Sequence, residues 1–194
     1  QKLQGLSIPE VVNAHWVVDP KKISFIAKLT SQSIKKFHKR SRFREELASW
    51  IRHNLSSKRD GLPGYSLLMP TPISFILGSA IRWFNLGGLL AKLNQKGISA
   101  SPLVCLISSR NDDNVAWFWV GVASERIMLT GVSHGLQPSV FVAAVETEET
   151  REELQGKLTE GEYPQFVFSL GYSEVCVKYT PRISVIDRLV HSHL

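Results

Sequence analysis

The stretch from Val115 to Val132 is mostly apolar or small, and the remaining elements are placed outward from it. Trp117, Val120, Ser124, Ile127 and Met128 share one face at helical spacing, while Val122, Arg126, Leu129 and Ser133 fall on others. A helix apolar on most sides is predicted to be buried on most sides. Asp112 or Asp113 can cap its start by accepting hydrogen bonds from the unpaired N–H groups of the first turn. Gly135 stands where a left-handed C-terminal cap belongs. Pro138 blocks further helix, and Ser139 to Val145, β-branched and apolar, is predicted to be a central strand. Glu125, Arg126 and His134 make the helix too polar for a bilayer.

The same periodicities place the other elements. Ile8 to Val18 is predicted as a strand, and Asp19-Pro20 opens a helix in which Ile23, Phe25, Ile26, Leu29, Ile34 and Phe37 alternate with lysine faces. A basic connection, His38 to Arg44, leads to a second amphipathic helix through Phe43, Leu47, Trp50 and Ile51. From Asn54 to Ser79 the pattern breaks at Asp60-Gly61-Leu62-Pro63-Gly64, and Pro70 and Pro72 speak against regular structure nearby. A long loop with embedded apolar groups is either a lid over a binding site or a surface meander. Ala80 to Gln95 is predicted as a helix with Ile81, Phe84, Leu89, Leu90 and Leu93 inward, stopped by Gly97. Pro102 to Ser108 is an apolar strand, Thr147 to Leu158 a solvated helix, Pro164 to Leu170 a strand, and Ser184 to His191 a short terminal helix. Together these give an α+β fold: one domain over residues 1–194, with helices layered on a mixed or antiparallel sheet around a long buried central helix.

Length and composition agree with that. The 194 residues, 43% hydrophobic and 21% charged, suit an ordinary globular chain with a substantial core. The net charge of +6 is uneven: residues 1–60 carry thirteen Lys or Arg against five Asp or Glu. Such an excess is usually a solvated face; a nucleic-acid reading through Lys35 to Arg44 lacks interleaved exposed aromatics. Cys105 and Cys176 are too far apart in sequence to suggest a metal cluster and are expected as reduced thiols. No signal peptide is evident and a cytoplasmic location is expected. The chain starts without Met and is expected to be incomplete at its N-terminus.

Direct chemical motifs are lacking. No phosphate-cradling glycine loop, dinucleotide fingerprint or His-Glu-x-x-His metal helix occurs, and no Gly-x-Ser-x-Gly elbow supports a hydrolase. The six histidines show no ligand spacing, so no metal is expected. Any chemistry is then expected to reside in a bound cofactor.

The order of features in the second half resembles the FMN-dependent nitroreductase family. The residues that carry it are Trp119 to Leu129 with His134-Gly135-Leu136, then Pro164 to Tyr172, then Thr180-Pro181-Arg182, with Phe43 to Pro63 similar to the helix and lid region of a divergent branch. The resemblance covers roughly Ile8 to Leu189. It implies an FMN at a homodimer interface, with hydride passing from NAD(P)H to a nitro, quinone or similar electron-poor substrate. By position, Arg182 would hold the phosphate, with Lys178 as a second cation; Arg182 could instead pair with Asp187. Gly135, Ser139, Val140 and Phe141 would border the flavin ring through backbone groups, and Tyr65, Met69 or Phe75 would stack on the substrate side. The family's early phosphate-gripping Arg-x-Ser-x-Arg element has only a faint echo in Arg40-Ser41-Arg42, which reads as a solvated basic turn; Asn13-Ala14-His15-Trp16 reads as plain strand. A flavin-storing or scaffold member of the family is the alternative to an enzyme.

Overall fold

The structure is a computed structural model that describes residues 5–6, 9–173, 180 and 183–184. The chain divides into two compact units. The first comprises Gln1–Lys36 with Gly87–Glu174, and the second Phe37–Leu86 with Val175–Leu194.

The first unit is built on a four-stranded sheet of β1 (Val12–Val17), β4 (Leu103–Ser109), β6 (Tyr163–Gly171) and β5 (Gln137–Val140), in that order and antiparallel throughout. Strict alternation in the central strands sorts the core to two faces. Val104, Leu106 and Val167 point to one face, where they meet Ile23, Ile26 and Leu29 of α1 (Pro20–Lys39), Ile98 of α4 (Gly87–Ser99) and Leu154 of α7 (Glu148–Leu158). Cys105, Ile107, Phe168 and Leu170 point to the other, against Val120, Ala123 and Ile127 of α5 (Asn114–Ser133). β4 is buried beyond Leu103 and β6 is buried from Val167 to Leu170, so each large side chain there contributes about 1.5–3 kcal/mol.

In the second unit α2 (Ser41–Trp50) packs on α3 (Thr71–Trp83), beside a two-stranded parallel pair, β2 (Ile51–Arg52) and β3 (Leu62–Pro63), and a 3-10 turn at Gly64–Leu67. Gly61 closes the turn at φ 80°, and a Cβ there would sit 2.4 Å from the Trp50 carbonyl oxygen, so only glycine fits.

Four departures from the sequence reading have physical causes. The irregular stretch ends at Pro70, not Ser79, because Pro72 lies in the first turn of α3, where its missing N–H would have had no helical partner. The helix expected over Ala80 to Gln95 is two helices, interrupted where Phe84 takes an extended conformation. α4 runs through Gly97 to Ser99 and buries Gly87, Ala91 and Ile98, leaving Leu89 and Leu93 exposed. The strand expected from Ser139 to Val145 is a short edge strand ending at Val140, followed by α6 (Ala143–Glu146). Pro138 fits that edge, where its missing donor costs no ladder bond.

The central helix departs most. α5 buries Ala116, Val120, Ala123, Ser124, Ile127 and Gly131 on one face only. Val115, Trp117, Phe118, Leu129 and Val132 stand 47–64% exposed on the other. Among the described residues no single helix is long and apolar enough to cross a membrane.

Candidate functional site

The C-terminus of α5 shows how one glycine shapes a wall. Gly135 has φ 80°; its N–H donates to the Val132 carbonyl and the Leu136 N–H to the Gly131 carbonyl, 2.9 and 3.0 Å away. These two bonds are the Schellman pattern, which satisfies the last helical carbonyls and turns the chain into β5. Among the described residues, a Cβ at Gly135 would meet the Tyr172 ring alone, at 3.8 Å, and Gly135 itself is exposed.

β5 then runs along the sheet edge with Ser139 and Val140 exposed. Phe141 donates its N–H to the Val167 carbonyl at 2.9 Å and packs its ring against the core. In an antiparallel ladder, bonding alternates along the strand. Ser139, two residues from Phe141, therefore faces β6 as well, and Val140 turns its N–H and C=O to the free edge. Of the three strand positions expected to offer backbone groups, Val140 is the one placed to do so. Pro138 has no N–H to add.

The remaining expected residues fall elsewhere. Tyr65 lies in the 3-10 turn of the second unit and is half-buried. Met69 follows it, with its carbonyl accepting from Asn54 Nδ2 at 3.0 Å. Phe75, in α3, stacks on His53 with ring centroids 4.5 Å apart and planes 17° from parallel. Arg182 and Lys178 lie outside the described residues, as do Cys176, Asp187 and residues 185–191 of the expected terminal helix.

Two polar clusters in the first unit were not foreseen, because their members are scattered in sequence. Asp113 is the α5 cap, accepting from the Ala116 N–H at 2.8 Å. Asp112 instead takes Arg151 Nη1 at 2.8 Å, Trp117 Nε1 at 2.7 Å and Gln165 Nε2 at 3.0 Å. The Arg151 hydrogen bond, supported by those from Gln165 and Trp117, holds the Asp112 carboxyl well below the usual carboxylate range despite partial desolvation. This cluster ties the start of α5 to α7 and β6.

The second cluster joins Asn13 and His15 of β1, Ser108 of β4 and Glu162. Ser108 Oγ donates to Glu162 Oε2, and His15 Nε2 lies 2.7 Å from Ser108 Oγ. An ionised carboxylate only accepts, so the single serine proton is committed to Glu162 and His15 must donate. A hydrolytic serine needs the reverse, a histidine that accepts its proton. Ser108 is also fully buried. The arrangement is a brace from β1 and β4 to the turn before β6, not a nucleophile.

Cys105 is likewise internal, and burial pushes its thiol up to about 12, which leaves it inert at neutral pH. Among the described residues no group of three or more His, Cys, Asp or Glu is placed to hold a metal.

No protein-family model matches the chain, and no curated protein matches it by sequence. Solved structures do match. The FMN and NADPH-dependent nitroreductase NfnB from Sphigopyxis sp. strain HMH aligns with a TM-score of 0.57 at 13% identity, covering 97% of this chain and 84% of that one. Two single-residue variants of that enzyme give 0.54 and 0.55 at 14% and 15% identity, each covering 100% of this chain and 86% of the other. At such identities the likeness defines a fold: this chain has the nitroreductase fold.

Proposed function

We propose that the chain is a divergent relative of the FMN-dependent nitroreductases and one subunit of a homodimeric flavin oxidoreductase, taking hydride from NAD(P)H and passing it to a nitro, quinone or similar electron-poor compound. The observation that carries this is the open wall formed by the Gly135 turn and the β5 edge, on a nitroreductase fold. The wall suits a flat ring: Gly135 is exposed, with Tyr172 the side chain beside it among the described residues, and the outward N–H of Val140 is a donor for a ring heteroatom. Bound FMN would supply the hydride-accepting and hydride-donating chemistry. The chain's own part is to orient the ring against Gly135 and Val140, with Ser139 and Phe141 anchoring β5, to hold the phosphate with Arg182 and secondarily Lys178, and to offer Tyr65, Met69 or Phe75 to the substrate.

The homodimer is supported by the exposed apolar face of α5, since contiguous patches of this kind mark interaction surfaces. An Arg–phosphate contact is worth about 1.5–3 kcal/mol. Arg182→Ala should therefore weaken FMN binding by roughly ten- to a hundredfold, measured by titrating FMN fluorescence. NADPH added anaerobically should bleach the flavin colour of the wild-type chain. Flavin retained but never bleached by NADH or NADPH would indicate a flavin-holding scaffold instead.

A further inference from the structure

The second unit holds a groove between α2 and α3. Its two ends are cavities of about 400 Å³ and about 330 Å³ that share Arg82, each within the size range of small-molecule sites. Ala48 of α2 and Gly78 of α3 line the second cavity, where the two helices approach closely: a Cβ at Gly78 would lie 3.6 Å from the Ala48 carbonyl oxygen. At one end stand Arg44 and Arg82; Glu45 shares that cavity but forms no ion pair with either. At the other end the Phe75 ring lies stacked on His53.

Three polar groups around this groove lack partners. Arg82 makes no hydrogen bond or ion pair with any described residue. Arg44 uses Nη1 on the carbonyls of His38 and Lys39, but its Nε is buried with nothing to donate to. His53 Nδ1 is buried and unpartnered as well. Buried polar atoms in native proteins are nearly always satisfied, so the two orphaned ones at residues lining these cavities, Arg44 Nε and His53 Nδ1, point to a missing partner, while the exposed Arg82 adds an unpaired positive charge. The surroundings favour an anion: residues 37–86 carry eight Lys or Arg against three Asp or Glu.

The spacing fixes the ligand's length. Phe75 and Arg82 are seven residues apart, hence on one face of α3 and about 10 Å apart along its axis. We infer that the α2–α3 groove binds a planar aromatic anion about 10 Å long, its acid group on Arg82 and Arg44 Nε and its ring against the Phe75–His53 stack. A fused bicyclic carboxylate or phosphate has this shape. The inference does not require flavin, because its readout is equilibrium binding.

The test is calorimetric titration of the full chain with 2-naphthoate, 2-naphthyl phosphate, neutral 2-naphthol and inorganic phosphate. Saturable one-to-one binding of at least one naphthyl anion is expected, with 2-naphthol and inorganic phosphate each at least about tenfold weaker. Arg82 is exposed, so Arg82→Gln should fold normally while weakening the bound anion by about tenfold or more and leaving 2-naphthol unchanged. Gly78→Leu should fill the groove and weaken every naphthyl probe; Arg59→Gln, on the exposed turn, should weaken none. Circular dichroism verifies that each variant is folded. Wild-type anion binding in Arg82→Gln, equal binding of naphthoate and naphthol, or no saturable binding of either anion would overturn the inference.

Discussion

Asp112 is the residue whose environment makes the clearest claim on solution behaviour. Its carboxylate accepts from Arg151, Trp117 and Gln165, all of which favour the charged form. Because its folded pKa is depressed, the ion contributes stability above its unfolded value of about 3.9. That contribution is lost progressively as pH falls through about 4 toward the folded value. With the side chain 29% exposed, Asp112→Asn should cost about 1–2 kcal/mol at pH 7. In urea unfolding, the gap between wild type and variant should narrow steadily below about pH 4. A gap that stays constant from pH 7 to pH 3 would show that the charge on Asp112 is not what matters. Position alone could not separate Asp112 from its neighbour: both are plausible caps, and Arg151 lies thirty-nine residues away.

At the scale of elements, α5 has two apolar faces, of which the described residues cover one. Glutamate at two exposed outer positions, Phe118 and Leu129, should turn a dimer into a monomer in sedimentation velocity while leaving the unfolding midpoint of the subunit nearly unchanged. Wild-type chain that sediments as a monomer, or a double variant that remains a dimer, would remove this face as the interface. Much of the element order was legible because it rests on strong local signals. The Asp19-Pro20 start of α1, the Gly135 stop of α5 and the apolar run of β4 each have one dominant physical cause. What was not legible depends on tertiary context. Val142 to Val145 are as apolar as a strand, but the chain turns into α6 there and packs Ala144 and Val145 against the core, a choice periodicity cannot make. The exposure of half of α5 was equally hidden, since apolar sequence does not say whether its cover is the same chain or another. Of the proposed flavin wall, the Gly135 turn was readable from sequence. That Val140, and not Ser139 or Phe141, faces the open edge follows only from the pairing with β6.

For the whole molecule, the chain shares its fold with NfnB over nearly its full length, and the flavin site proposed above rests on that fold together with the Gly135 turn and the β5 edge. The polar clusters elsewhere in the first unit are braces, and Ser108 and Cys105 are both fully buried. The most direct measurement is the visible absorbance spectrum of the purified chain after incubation with FMN and gel filtration. The prediction is that flavin absorbance coelutes with the protein at about one FMN per chain. A colourless protein peak, with all the FMN in the small-molecule fraction, would contradict a flavin site in this chain.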